Sequence, residues 1–272
     1  MLYLKKTFSY EYETKEADVC LVGIPYDSSE TGKSVKYGPV FLREAIKNLV
    51  GFDPELGINV FERLKFTDLG DVEVVPGKWV ITEERIKDTL KWIFAQNSNV
   101  FPVFLGGEHL ITLGVLRSLA EIINRRITVI DFDAHRDLMP EYMGERFSHL
   151  TWAYHILKNP RFQLVQIGCR SWSREEDEVL KKNKVRETLD DIENPVYLTI
   201  DMDVFDPSHA PEVGTPEAMG LGPKEFFELL KKIPRKTLIG MDIVECSADR
   251  VNTQTAVLGA QIFKKVLGHR LG

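Results

Sequence analysis

Six side chains of metal-ligand type stand where apolar runs stop. His109 follows a Gly-Gly turn; Asp133, His135 and Asp137 are spaced by two, and so are Asp201 and Asp203. On an extended chain, residues two apart point to one face, so each cluster converges rather than scatters. Carboxylates gathered at a partly desolvated strand end repel one another, and something cationic must offset them. A solvated strand end, an N-cap or a salt-bridge network explains any one of these aspartates equally well. The whole set at period two, with an imidazole after a tight turn, argues for a cation site. The set is rich in oxygen, has two imidazoles and no thiolate, and suits Mn²⁺ or a similar ion better than structural zinc. Two divalent ions carry +4, against −4 on Asp133, Asp137, Asp201 and Asp203. A hydroxide between the ions then leaves the site slightly anionic, which favours a cationic substrate over a phosphate ester. A metal pair about 3.5–4 Å apart also generates hydroxide near neutral pH.

Positioning such groups requires strands that end at one edge. Short β-branched runs at Asp18–Ile24, Lys65–Leu69, Val100–Leu105, Ile127–Asp133, Phe162–Ile167, Val196–Asp201 and Thr237–Ile243 alternate with helical patterns, the signature of parallel βαβ units. Glu83–Gln96 carries Ile86, Leu90, Ile93 and Phe94 on one stripe, Pro223 opens a helix with Phe226, Phe227, Leu230 and Ile233, and a last helix covers about Thr255–Leu267. Tyr26–Gly38 and Leu138–Phe147 read as loops. Four strands run into Gly106-Gly-Glu-His109, Asp131-Phe-Asp-Ala-His-Arg-Asp137, Asp201-Met-Asp203 and Glu245. In an open parallel sheet these carboxyl ends share one crevice, where ligands bind. No repeat, low-complexity tract or composition break divides the chain, so a single domain over 1–272 is expected.

Composition narrows the partners. Lys plus Arg 35 against Asp plus Glu 41 gives a net charge of −6, without the positive field that holds nucleic acid. Apolar runs stay short of the roughly 18 residues of a membrane span, and Met1-Leu-Tyr-Leu-Lys-Lys-Thr lacks the features of a signal peptide, so a cytoplasmic protein is expected. Cys20, Cys169 and Cys246 are odd in number, far apart and without C-x-x-C spacing, and read as buried thiols in a reducing compartment.

Taken in order, Gly23-Ile-Pro-Tyr-Asp27, Gly38-Pro-Val-Phe-Leu-Arg43, Gly-Gly-Glu-His109, Asp133-Ala-His-Arg-Asp137, Asp201-Met-Asp-Val-Phe-Asp-Pro207, Asp242-Ile-Val-Glu245 and Thr255-Ala256 resemble the ureohydrolase superfamily of arginases, agmatinases and formimidoylglutamases. The likeness spans nearly the whole chain. It implies a three-layer α/β/α arginase-type fold with a central, mostly parallel eight-stranded sheet. It further implies one Mn²⁺ on His109, Asp133, Asp137 and Asp201 and another on Asp133, His135, Asp201 and Asp203, with Asp133 and Asp201 bridging. Glu245 resembles the guanidinium anchor, a planar carboxylate suited to a planar nitrogen fork. His149, in Phe-Ser-His149-Leu-Thr, resembles the loop histidine that carries a proton to the leaving amine. His155, His209 and His269 match no motif and read as structural or surface residues. The implied reaction is attack of metal-bound hydroxide on the guanidinium carbon, Asp137 accepting its hydrogen bond, and collapse to urea. Trimers or hexamers are implied as well.

The loop after Asp137, Leu138-Met-Pro-Glu-Tyr-Met-Gly-Glu-Arg-Phe-Ser148, lacks the asparagine with which arginases hold an amino acid's carboxylate, and its Tyr-x-Gly-x-x-x-Ser-His pattern is similar to agmatinases. Agmatine or aminopropylagmatine, hydrolysed to putrescine or spermidine plus urea, is the expected substrate. Glu141, Glu145, Asp27 and Glu30 are candidates to meet its distal amine. Leu150 stands where glycine is usual and Arg136 where threonine is common. Arg136 or Arg146 facing a substrate carboxylate would suit formimidoylglutamate or guanidinobutyrate instead. Arginase activity, a zinc-type deacetylase with one metal, and a non-catalytic binding relative are the other readings. The second acid of each pair, Asp137 and Asp203, argues for two ions.

Overall fold

A computed structural model of the chain describes residues 8, 11–28, 33–192 and 195–272. Its strands are β1 (Val19–Ile24), the two-residue β2 (Phe52–Asp53) and β3 (Ile58–Asn59), β4 (Phe66–Asp71), β5 (Phe101–Gly106), β6 (Ile127–Phe132), β7 (Phe162–Ile167), β8 (Val196–Asp201) and β9 (Leu238–Val244). The α-helices are α1 (Gly38–Lys47), α2 (Val60–Arg63), α3 (Trp79–Gln96), α4 (Ile111–Ile122), α5 (Trp152–Leu157), α6 (Arg174–Lys182), α7 (Pro223–Leu230) and α8 (Gln254–Leu271). Seven strands form one parallel sheet in the order β4-β1-β5-β9-β8-β6-β7. Among the described residues the implied eight strands are thus corrected to seven. The remaining extended pair, β2 and β3, is too short to lengthen the sheet and closes on itself as an antiparallel hairpin through Gly57 at φ +67°.

Most strand residues are buried, because helices cover both faces of the sheet and leave neither to water. On one face Leu21, Leu42, Val103, Phe132, Leu198, Met241 and Phe263 lie in one core with α1, α7 and α8. On the other, Val22, Phe104, Val129, Tyr197, Leu90, Leu116 and Trp152 lie in a second core with α3, α4 and α5. The result is three layers, helix on sheet on helix. None of the described helices is long and apolar enough to cross a membrane. Cys20 and Cys246 are buried as expected, whereas Cys169 is half-buried, at the lip of the crevice, its Sγ 2.8 Å from the His135 carbonyl oxygen.

The strands that end in ligand-type residues, β5, β9, β8 and β6, are consecutive neighbours in the sheet. Arg170, just past β7, ties down the loop after β8: Nη2 donates to the Asp203 carbonyl at 2.7 Å and to that of Glu217 at 2.8 Å, and Nε donates to that of Ala218 at 2.9 Å. One half-buried guanidinium therefore fixes the backbone that carries Asp203.

Candidate functional site

Each side chain of the cluster is aimed by a local device at its strand end. β5 stops at Gly106-Gly107, where a side chain on residue 107 would collide with the Tyr26 carbonyl, so the chain turns closely enough to bring His109 over the sheet. Past β6, the Asp133 Oδ1 accepts the His135 amide at 2.6 Å, and Asp137 sits in the left-handed region at φ +52°. Past β8, Asp201 caps the 3₁₀ turn Met202–Val204, its Oδ1 accepting the Asp203 amide at 2.8 Å. Convergence therefore holds, but for a different reason than alternation along a strand. His135, Asp137 and Asp203 lie beyond the strands, and turns bring them back.

All six predicted ligand residues come together. His109 Nδ1 lies 3.0 Å from Asp133 Oδ2, 3.2 Å from Asp201 Oδ2 and 3.6 Å from Asp137 Oδ2. His135 Nδ1 lies 3.0 Å from Asp203 Oδ2 and 3.6 Å from Asp133 Oδ1, so Asp133 faces both imidazoles, one with each oxygen. Every one of these groups is buried except His135, whose side chain keeps 18% of its surface open near Glu217. Despite their approach, His109 Nδ1 and Asp133 Oδ2 have no hydrogen-bond partner among the described residues. Buried polar atoms are rarely left so, and an unpartnered imidazole nitrogen facing an unpartnered carboxylate oxygen, with two further carboxylates beside it, is the environment of a cation.

The electrostatics agree. Burial and neighbouring acids hold Asp137 and Asp201 well above the ordinary carboxylate range. Burial opposes charge on His109 and His135 too, but the facing carboxylates outweigh it and raise both. Asp133 is lowered, since the two imidazoles overcome its desolvation. Without an ion, the cluster can balance its acids only by keeping protons on imidazoles and on carboxyl groups.

Glu245 follows β9 with a left-handed backbone at φ +60°. Its own amide donates to the Gly107 carbonyl at 2.9 Å, and its Oε1 accepts the His109 amide at 2.7 Å. A bulky residue in that region is strained, and the strain aims the carboxyl along the crevice. Burial, then repulsion from Glu108, pushes its pKa up to about 8. His149 is buried, with Tyr142 set edge-on at 6.1 Å and Nδ1 unpartnered among the described residues. Burial, then charge on His109 and His135, takes it down to about 4.

Sequence reasoning missed several neighbours. Trp152 donates from Nε1 to Asp137 Oδ2 at 2.8 Å while its ring packs on His109 at 4.5 Å, and no motif or period marks it. Asp131, Thr199 and Asp242 stand behind His109. Asp131 and Thr199 were legible as the period-two predecessors of Asp133 and Asp201. Arg136 turns to Glu187 and lies 4.7 Å from the Trp172 ring centre. Arg146 lies over Phe147 on the exposed loop. Asp27 accepts Ser34 Oγ at 2.6 Å and the Val35 amide at 3.0 Å, Glu141 and Glu145 are exposed, and Glu30 is outside the described residues. His155 and His269 make bonds to the carbonyls of Arg146 and Ile233, and His209 is exposed.

Residues 17–268 match the model of the arginase family. The chain belongs to the arginase family. It is a ureohydrolase, an enzyme that hydrolyses guanidino compounds. It is 33% identical to the agmatinase of Pyrococcus horikoshii, the alignment covering 98% of each chain. To the N(1)-aminopropylagmatine ureohydrolase of Thermococcus kodakarensis it is 30% identical, over 98% of this chain and 96% of that one. The solved agmatine ureohydrolase of Thermoplasma volcanium superposes with a TM-score of 0.85 at 28% identity, covering 100% of this ureohydrolase and 96% of the other.

Proposed function

We propose that this ureohydrolase cleaves agmatine or aminopropylagmatine to urea and putrescine or spermidine, in polyamine biosynthesis, with two Mn²⁺ per chain. The observation that carries the reading is the buried cluster of four aspartates and two imidazoles that has no lysine or arginine partner among the described residues, with Glu245 at its rim. His109, Asp133, Asp137 and Asp201 would hold one ion and Asp133, His135, Asp201 and Asp203 the other, Asp133 and Asp201 being shared. When bound, such ions neutralise the carboxylates and acidify water enough to make a nucleophile at neutral pH.

The chain's own groups supply the rest. Glu245 receives the guanidinium: an arriving cation draws off its proton and pairs with the planar carboxylate. Asp137, held by Trp152 on Oδ2, offers Oδ1 to the attacking water and orients it towards the guanidinium carbon. His149 is neutral at pH 7, and its unpartnered Nδ1 can take up a proton and pass one to the departing nitrogen. One C–O bond forms and one C–N bond breaks, so guanidinium and water give urea and a protonated amine.

The relatives named as acting on agmatine and aminopropylagmatine support the choice of substrate. So does Arg136, whose engagement with Glu187 and Trp172 takes it away from a substrate carboxylate. Glu141 and Glu145, exposed on the loop after Asp137, are the acids we assign to meet a distal amine. We further propose a single domain over 1–272 that works in the cytoplasm as a homo-oligomer, a trimer or hexamer by family resemblance. Urea release with Mn²⁺ should be fastest on agmatine or aminopropylagmatine. Faster turnover of arginine, guanidinobutyrate or formimidoylglutamate would replace the substrate, and no urea from any of them would remove the activity.

A further inference from the structure

Behind the cation cluster lies a buried polar row that the proposed reaction does not use. β7, β6, β8 and β9 are in register there, with Gln166 beside Asp131, Asp131 beside Thr199, and Thr199 beside Asp242. All four are buried within the face covered by α3, α4 and α5, where their strand neighbours Val129, Tyr197 and Val244 belong to the apolar core. Apolar side chains would be less costly at these positions. What the row touches instead is the back of His109: Nε2 lies 2.9 Å from Thr199 Oγ1.

We propose that Thr199 and Asp242 are positioning residues that fix the proton of His109 on Nε2 and leave the lone pair of Nδ1 facing Asp133, Asp137 and Asp201. The direction of each hydrogen bond follows from the one behind it. Asp242 accepts three hydroxyls: Thr199 Oγ1 at 2.5 Å on Oδ1, and Thr112 Oγ1 and Tyr197 Oη, each at 2.8 Å, on Oδ2. A threonine hydroxyl has one hydrogen. Since Thr199 gives its hydrogen to Asp242, it can only accept at His109, and Nε2 must be the donor. An imidazole whose Nε2 carries the proton presents Nδ1 as a ligand. Asp131 reinforces this choice. Gln166 Nε2 donates to its Oδ2 at 2.9 Å, while its Oδ1, without a hydrogen-bond partner among the described residues, lies 3.8 Å from His109 Nε2. That oxygen favours a proton on the nearer nitrogen.

Asp131 also falls within ligand reach of His109 and Asp133, which would make it a candidate cation ligand. The imidazole decides against it, because Asp131 lies on the Nε2 side, already taken by Thr199, while the orphaned Nδ1 points the other way. The row works from behind the ring, and the ions would bind in front.

The inference rests on the proposed two-ion site, and Mn²⁺ titration of the ion-free protein by calorimetry separates the two ideas. Wild type should take up two equivalents; failure to do so overturns the site and, with it, the inference. If it binds both, Thr199→Val should weaken one equivalent by about 10- to 100-fold and spare the other, and Thr199→Ser should restore it. Asp242→Asn, which turns the acceptor towards Thr199 into a potential donor, should weaken the same equivalent. A merely structural role would lower the melting temperature of the ion-free variants and leave Mn²⁺ affinity untouched. Unchanged affinity in either folded variant overturns the inference.

Discussion

Among the described residues, this sheet gathers acids in its edge strand β4 and at the ends of β6 and β8, and only the first group brings its own cation. At the β4 edge, Arg43 of α1 answers Asp68 and Asp71. Its Nε donates to Asp68 at 3.0 Å, Nη1 pairs with Asp71, and Nη2 donates to the Gly70 carbonyl at 2.7 Å. In the centre, at the ends of β6 and β8, the ion-pair partners of Asp133, Asp137, Asp201 and Asp203 among the described residues are imidazoles, and buried atoms stay unsatisfied. The edge is a finished clamp that holds a helix to a strand. The centre is complete only with positive charge from solution. Clustered acids are therefore not in themselves a sign of function; what matters is whether the chain supplies the neutralising group.

The sharpest way to break that comparison is Asp133→Asn, which removes the one acid facing both imidazoles. Urea release should fall by about a thousandfold or more with loss of bound Mn²⁺, while circular dichroism shows a folded protein. Unchanged activity would take Asp133 out of the site. Next, Glu245→Ala should keep both Mn²⁺ equivalents yet lower urea release by about a hundredfold, as expected for loss of one charged contact to the reacting group. If metal is lost instead, Glu245 belongs to the cluster's frame and not to substrate binding.

His149 tests how far the central charge reaches in the ion-free protein. Its folded pKa of about 4 lies below the unfolded imidazole value, so its contribution to stability is present above about 6.5 and is lost as pH falls towards 4. Relative to His149→Gln, wild type should therefore lose up to about 3 kcal/mol over that window in denaturant titrations. A constant difference across the window would mean that the ring is not desolvated.

A smaller effect separates the clamp from the centre. Arg43→Met should cost about 2 kcal/mol, because two acids lose their partner, and should leave Mn²⁺ uptake intact. Asp201→Asn should do the opposite: its carboxyl is raised by burial and by Asp203 and Asp133, so ionising it opposes folding, and the ion-free variant should melt a few degrees higher while binding Mn²⁺ less well. If both variants shift stability in the same direction, the distinction between the two regions fails.

Strand positions were legible because a parallel sheet covered on both sides demands continuous apolar runs. Phe162–Ile167 and Val196–Asp201 match their expected bounds to the residue, and the other five shift by one or two residues at one or both ends. The helix from Trp79 begins four residues before the expected Glu83, since Trp79 and Thr82 are buried against the core and extend it. The cluster was legible for a related reason, since strands that stop at one edge place whatever follows them together. Trp152 was invisible because its partners Asp137 and His109 lie 15 and 43 positions away and meet it only across a loop and a strand end.

By itself, the sequence determined which chemical groups this protein owns and which strand ends carry them, because both follow from residue type and local hydrophobic period. Tertiary structure alone decided which nitrogen of His109 faces the acids, that Arg136 turns to Glu187, and that Asp242 serves a histidine more than a hundred residues away. Those outcomes depend on strand order and register, and hence on contacts between segments whose sequences carry no mark of one another.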